Sequence, residues 1–199
     1  MAAFVAVMAG VSAPVQAQFS DSYNFLKAVK ERKGEEATRL IDQPGSGAVL
    51  INTRDITTGQ GALHIVVERR DAAWIGYLLQ KGANPNIADK KNVTPLMLAT
   101  QLNFKEGADW LIKYKANVDQ TNRGGETALI MAVNLRNAEM VRLLLKNGAN
   151  PDKKDSIAGL SARQYAARDG RNNAISAIIE SEAKTGAKKA PDLDFTGVK

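Results

Sequence analysis

Apolar residues in this chain fall into pairs of short clusters at helical spacing, separated by polar and charged positions. Between Thr94 and Tyr114, Leu96 and Ala99 make the first cluster and Ala108, Leu111 and Ile112 the second. Each cluster predicts a short amphipathic helix, and the pair predicts a helical hairpin with an apolar stripe it cannot cover alone. The arrangement recurs. Thr94-Pro95-Leu96-Met97-Leu98-Ala99 returns 33 residues later as Thr127-Ala128-Leu129-Ile130-Met131-Ala132 and stands 33 earlier as Gly61-Ala62-Leu63-His64-Ile65-Val66. Ser161-Ala162-Arg163-Gln164-Tyr165-Ala166 follows after a step of 34.

The second half of each unit keeps the same register. Leu78-Leu79 leads to Gly82-Ala83-Asn84-Pro85-Asn86, and Leu144-Leu145 leads to Gly148-Ala149-Asn150-Pro151-Asp152. In the middle unit Leu111-Ile112 leads to Ala116-Asn117-Val118-Asp119, with Lys115 in place of the glycine, so the sequence marks that helix end less clearly. Gly59, Asn92, Gly125 and Gly159 precede the four signatures and tolerate the positive φ of a tight turn. Thr94 and Thr127 suit helix N-caps, and Pro95 suits a first helical turn.

A fixed period of this size is the mark of stacked repeats, in which each unit buries its stripe against the next. The unit resembles the ankyrin repeat, whose repeat of about 33 residues carries T-P-L-H-x-A at the start of its first helix. The resemblance runs from about Gln18 to Lys184. It implies an all-α solenoid of stacked helix-turn-helix units with β-turn tips. Four repeats are expected at about 55–88, 89–121, 122–154 and 155–184, after an N-terminal helical cap at 20–54. Phe25 to Ala28 and Leu40-Ile41 align with the first full unit at an offset of 38, which places five extra residues in the loop Gln43 to Gln60.

Residues 1–17 contain no charge and end in Val15-Gln16-Ala17, a small-residue cleavage pattern. They read as a signal peptide cut before Gln18, although a basic n-region is missing, and the chain is expected to be periplasmic or secreted and bacterial. An uncleaved segment would leave it in the cytoplasm. No apolar run in the repeats approaches the roughly 18 residues of a membrane span. Residues 185–199 hold Gly186, Pro191, Gly197 and several charges without helical periodicity, and are expected to be a disordered tail.

The chain has no cysteine, which excludes disulfides and thiolate metal sites. Its one histidine, His64, occupies the fourth signature position, where the resemblance implies a structural hydrogen bond. A lone histidine provides neither a zinc site nor a triad base that is free of that duty. Gly45-Ser46-Gly47 lacks the strand and the third glycine of a dinucleotide fingerprint, and Glu35-Glu36 read as ordinary exposed charge. The expectation is no enzyme, no cofactor and no metal.

Function is therefore sought on the exposed faces. The resemblance implies a concave protein-binding face lined by turn tips (Gln60; Lys90, Lys91 and Val93; Arg123 and Glu126; Lys154, Ser156 and Leu160) and by first-helix ends (Glu68 and Arg69; Gln101 and Leu102; Asn134 and Leu135; Arg168 and Asp169). The candidate binding residues are Arg69, Lys90, Lys91, Leu102, Arg123, Glu126, Leu135 and Arg168. Leu102 and Leu135 are equivalent in adjacent units, and either partial burial or an apolar interface centre flanked by Arg accounts for them. Cations outnumber acids on this surface, which implies an acidic protein partner. The chain's net charge of +6 adds little, being spread over a solvated surface and the tail. A monomer that binds no nucleic acid is expected, and docking to an anionic cell-envelope surface is the alternative. Trp74, Tyr77 and Trp110 are expected to pack within the outer row of second helices.

Overall fold

The computed structural model describes residues 15–45, 47–168 and 173–186, with side chains described at 21–45, 47–168 and 174–182. The helices α1 (Val15–Lys30) and α2 (Gly34–Ile41) form a first hairpin, followed by the single-turn α3 (Gly47–Leu50). Four hairpins follow: α4 (Ala62–Glu68) with α5 (Ala72–Gln80), α6 (Pro95–Gln101) with α7 (Lys105–Lys113), α8 (Ala128–Asn134) with α9 (Ala138–Lys146), and α10 (Ala162–Arg168) with α11 (Asn173–Gly186). Among the described residues there are no extended strands, and the two isolated bridges are Arg54 with Gly61 and Lys154 with Ser161.

Local chemistry fixes where each helix starts. The hydroxyls of Thr94 and Thr127 accept the N–H of Met97 and Ile130 at 3.3 and 3.2 Å, and Pro95 takes the first turn of α6. Asp71 and Asn137 cap α5 and α9 by accepting from Trp74 and Met140 at 3.0 Å. Phe104, which starts α7, provides no side-chain cap.

The hairpins stack in two rows. The first helices run α1, α4, α6, α8, α10, each against the next, and α5, α7, α9, α11 form the second row. Leu63, Leu96 and Leu129 are buried in successive layers of the first row, as are Leu78, Leu111 and Leu144 in the second. One continuous core extends from Phe25 to Ile179. Removing a buried leucine from such a stack costs about 2–5 kcal/mol through the cavity left behind.

The outer aromatics pack within the stack as expected. Trp74 lies against Gly34 of the first hairpin and Trp110 against Gly76 of the preceding repeat, both half-buried. The Tyr77 hydroxyl bonds Thr38 at 3.3 Å, and Lys81 pairs with Asp42 at 2.7 Å, so α5 is tied to α2 as well.

Two local expectations change. Lys115 adopts a φ of 68°, its N–H bonds the Ile112 carbonyl, and the Ala116 N–H bonds Leu111, both at 2.9 Å. Gly82 and Ala83 make the same two bonds to Leu79 and Leu78, so the middle helix closes as sharply as its neighbours. At the far end α11 continues through Thr185 and Gly186, which were expected in the disordered tail; residues 187–199 lie outside the described residues.

Candidate protein-binding surface

Each turn tip is a tight hairpin closed by one backbone bond: Asp55 N–H to Gln60, Asp89 to Val93, Asn122 to Glu126 and Asp155 to Leu160, at 2.8 to 3.0 Å. The side chain at the base of each tip holds its turn. Asp55 Oδ1 accepts from the N–H groups of Thr57 and Thr58, Asp89 from Lys91 and Val93, Asn122 from Gly124 and Glu126, and Asp155 from Ile157, Ala158 and Gly159. At Asp55 and Asp155 these bonds favour the carboxylate over the acid. Bonds from Thr58 above all hold the Asp55 carboxyl below its ordinary pKa, and the Tyr165 hydroxyl does the same for Asp155.

Neighbouring tips are also bonded to one another. The Lys90 N–H donates to Thr58 at 3.0 Å, Arg123 to Lys91 at 3.1 Å and Ser156 to Gly124 at 2.9 Å. Positive φ at Gly59, Asn92, Gly125 and Gly159 makes the turns possible. The row of tips is therefore one continuous hydrogen-bonded edge, with exposed side chains set at fixed intervals.

His64 is buried beneath it, 1% exposed. Its Nδ1 accepts the Gly61 N–H at 3.2 Å, which fixes the proton on Nε2, and Nε2–H donates to the Val93 carbonyl at 2.9 Å. Burial lowers its pKa below the ordinary value. The histidine thus ties two adjacent repeats together. Gln164 takes the equivalent place in the last repeat, its Oε1 accepting the Ser161 N–H at 3.0 Å.

The candidate binding residues separate into three groups. Lys90, Lys91, Arg123, Leu135 and Arg168 are exposed, and Leu135 presents 53% of its surface at the end of α8. Leu102 and Glu126 are half-buried: Leu102 packs against the core, and Glu126 accepts from Asn122 Nδ2 at 2.8 Å. Arg69 is committed to the stack. Its side chain is 11% exposed, pairs with Asp71 at 3.0 Å, lies over the Trp74 ring and donates to the Val29 carbonyl of the first hairpin. The equivalence of Leu102 and Leu135 thus holds in the backbone and not in exposure, while Asp169 lies outside the described residues.

The family model for ankyrin repeats matches residues 25–122 and 114–189. This chain belongs to the ankyrin-repeat family. It is 29% identical over 138 residues, 69% of its length, to transient receptor potential cation channel subfamily A member 1 of Homo sapiens, covering 12% of that protein. It is 29% identical over 144 residues, 72% of its length, to a putative ankyrin repeat-containing protein of Treponema pallidum, covering 46% of that protein. Over 155 residues, 77% of its length, it is 30% identical to neurogenic locus notch homolog protein 1 of Xenopus tropicalis, covering 6% of that chain. The chain therefore spans less than half of each of these relatives.

Ankyrin repeats mediate protein–protein interaction and are typically non-catalytic. Among the described residues no group of three or more His, Asp or Glu could hold a metal ion, and no helix is long and apolar enough to cross a membrane.

Four exposed large apolar side chains of this ankyrin stack carry no sequence expectation, among them Val49 on α3, 71% exposed. Ile56 and Ile157 sit on the first and last tips, each 82% exposed, and Tyr23 on α1 is 65% exposed. The available signal was an isoleucine within an otherwise polar turn. Tyr23 and Ile56 line a groove of about 650 Å³ between α1 and the first tip, together with Leu26, Lys27, Lys30 and Arg54.

Proposed function

We propose that the chain is an exported, non-catalytic adaptor, inhibitor or accessory subunit that holds a protein partner on its concave face. The observation that carries this reading is Leu135, a large apolar side chain left half in water at the end of α8 while its counterpart Leu102 packs half-buried against the core and Arg69 is taken up by the stack. Exposed Lys90, Lys91, Arg123 and Arg168 on the same face favour an acidic partner surface. The bonded row of tips supports recognition by a preorganised surface, because little ordering entropy is lost on binding.

Export to a bacterial periplasm or the medium rests on the uncharged segment 1–17. Cleavage before Gln18 would shorten the start of α1 and leave the buried Phe25, Leu26, Ala28 and Val29 in place.

The test is affinity capture from a periplasmic or culture-medium extract with the immobilised chain and with an Arg123→Glu/Leu135→Ser variant. Both positions are exposed, so the variant keeps its stability within about 0.5 kcal/mol per site. The reading expects a protein retained by the unmodified chain and lost with the variant; identical retained sets overturn it. Retention on acidic vesicles alone, falling steeply with salt, would instead favour docking to an anionic envelope surface.

A further inference from the structure

The groove between α1 and the first tip is a second candidate site, at the end of the stack and separate from Leu135. Its acids are already engaged. Glu31 pairs with Lys33 at 2.7 Å, Asp55 holds its own turn, and Glu68 accepts from Gln60 Nε2 at 2.7 Å. Its two lysines act on these acids only through space, Lys27 on Glu31 and Lys30 on Asp55, without an ion pair among the described residues, and the Lys27 ammonium stands 6.0 Å from the Tyr23 ring. Tyr23, Lys27 and Lys30 lie at i, i+4 and i+7, on one face of α1. The groove therefore offers two exposed ammonium groups, beside Arg54 whose guanidinium donates to the Ala88 carbonyl at 3.3 Å, and two exposed apolar surfaces, Tyr23 and Ile56.

This chain carries a segment of matching chemistry. Asp192-Leu193-Asp194-Phe195 alternates two carboxylates with two large apolar side chains. Bound in an extended form, it would turn both carboxylates one way and both apolar groups the other. The carboxylate-bearing positions would then be about 6.6 Å apart along the strand, close to the roughly 5–6 Å between helix positions i and i+3 such as Lys27 and Lys30.

The segment cannot reach its own groove. From Gly186, the end of α11, the six residues to Asp192 span at most about 22 Å when fully stretched. The groove lies three to four helix-to-helix steps from α10 along the first row, about 24–40 Å at 8–10 Å per step. We propose that the groove formed by Tyr23, Lys27, Lys30 and Ile56 receives Asp192 to Phe195 of a second copy of this chain. Copies then associate head to tail, in place of the monomer expected from the sequence. Because the interface is not self-complementary, the association is open-ended.

Sedimentation velocity of the full chain tests this between about 10 µM and about 1 mM, where contacts well below standard interface size associate. The expected result is a sedimentation coefficient that rises with concentration. Lys27→Glu/Lys30→Glu and Asp192→Lys/Asp194→Lys should each weaken association at least tenfold. In an equimolar mixture the native segment of the first variant meets the native groove of the second, and the reversed segment of the second meets the reversed groove of the first, so association that rises with concentration should return. Lys27 and Lys30 are exposed, so an unchanged thermal midpoint is expected of both variants. A coefficient independent of concentration in the unmodified chain overturns the proposal, as does association that survives both reversals or a mixture that restores nothing. The proposal goes beyond the concave-face reading and does not depend on it, and capture with the Arg123→Glu/Leu135→Ser variant reports on that face alone.

Discussion

Asn86 joins two repeats: its Oδ1 accepts the backbone N–H of Asn117, at 2.6 Å, from the unit that follows. The same relay runs the length of the stack. Asn52 accepts from Asn84, Asn84 from Asn86, Asn117 from Asp119, Asp119 from Asn150 and Asn150 from Asp152, at 2.7 to 3.0 Å. Each side chain satisfies a backbone donor that the loop after a second helix leaves unpaired. Removing the acceptor in Asn86→Ala should cost about 1–2 kcal/mol. Asn86→Asp should be close to neutral, because Asp119 performs the same task one unit on. Urea unfolding checks both, through a shifted midpoint at unchanged slope.

Gly125 should be the least replaceable glycine of the tips. It has a φ of +77°, and a methyl group there would lie 2.4 Å from the Ser156 N–H nitrogen that bonds the Gly124 carbonyl. Gly82 has a φ of +94° with open space around it. Gly82→Ala should therefore cost only backbone strain, about 1–2 kcal/mol. Gly125→Ala should cost more, adding overpacking of about 1–3 kcal/mol and breaking the bond between tips. Comparing the two thermal midpoints separates strain from collision.

Lys115→Gly should stabilise the protein. Lys115 holds the left-handed conformation that Gly82 and Gly148 adopt in the flanking repeats. Relief of about 1–2 kcal/mol of strain exceeds the roughly 0.5–1 kcal/mol lost to glycine's greater freedom in the unfolded chain. The net gain should be a few tenths to about 1 kcal/mol, read as a higher thermal midpoint.

Stability should fall as pH is lowered from 7 through the ordinary histidine range. Burial depresses the His64 pKa below its ordinary value of 6.5, so the unfolded chain takes up a proton that the folded chain refuses. The contribution is complete above pH 6.5 and is lost as the pH falls below it toward the folded-state value. Asp55, Asp152 and Asp155 are also held below the ordinary aspartate value of 3.8, so their contribution disappears only in stronger acid. His64→Gln should flatten the curve between about pH 5 and 7 and retain the N-terminal cap, since Gln164 makes that cap in the last repeat. Thermal midpoints across that range decide it, and a slope that His64→Gln leaves unchanged would assign the titration to another group.

Much of the fold was legible in the sequence because the repeated residues are those that hold the stack together. The apolar positions around Leu63, Leu96 and Leu129, the caps Thr94 and Thr127, and the turn residues Gly59, Asn92, Gly125 and Gly159 all act locally or on the next identical unit. A spacing of 33 or 34 residues was sufficient to place them. The tip-base residues Asp55, Asp89, Asn122 and Asp155 follow almost the same period, but which backbone N–H groups their oxygens hold is set only in the folded turns. Exposure was less legible. Leu102 and Leu135 share a register, and Arg69 occupies a surface position by the same count, but register gives direction and not coverage.

The sequence by itself determined the architecture: hairpins that cannot bury their own stripe must stack, and the period fixes how they do so. Tertiary structure alone decided which side chains remain available to a partner. Arg69 is taken up by Asp71, Trp74 and the first hairpin, whereas Leu135, Ile56 and Tyr23 are left in water. Coverage depends on neighbours 30 to 40 residues away and on the shapes that they fill. A one-dimensional period carries no information about those shapes.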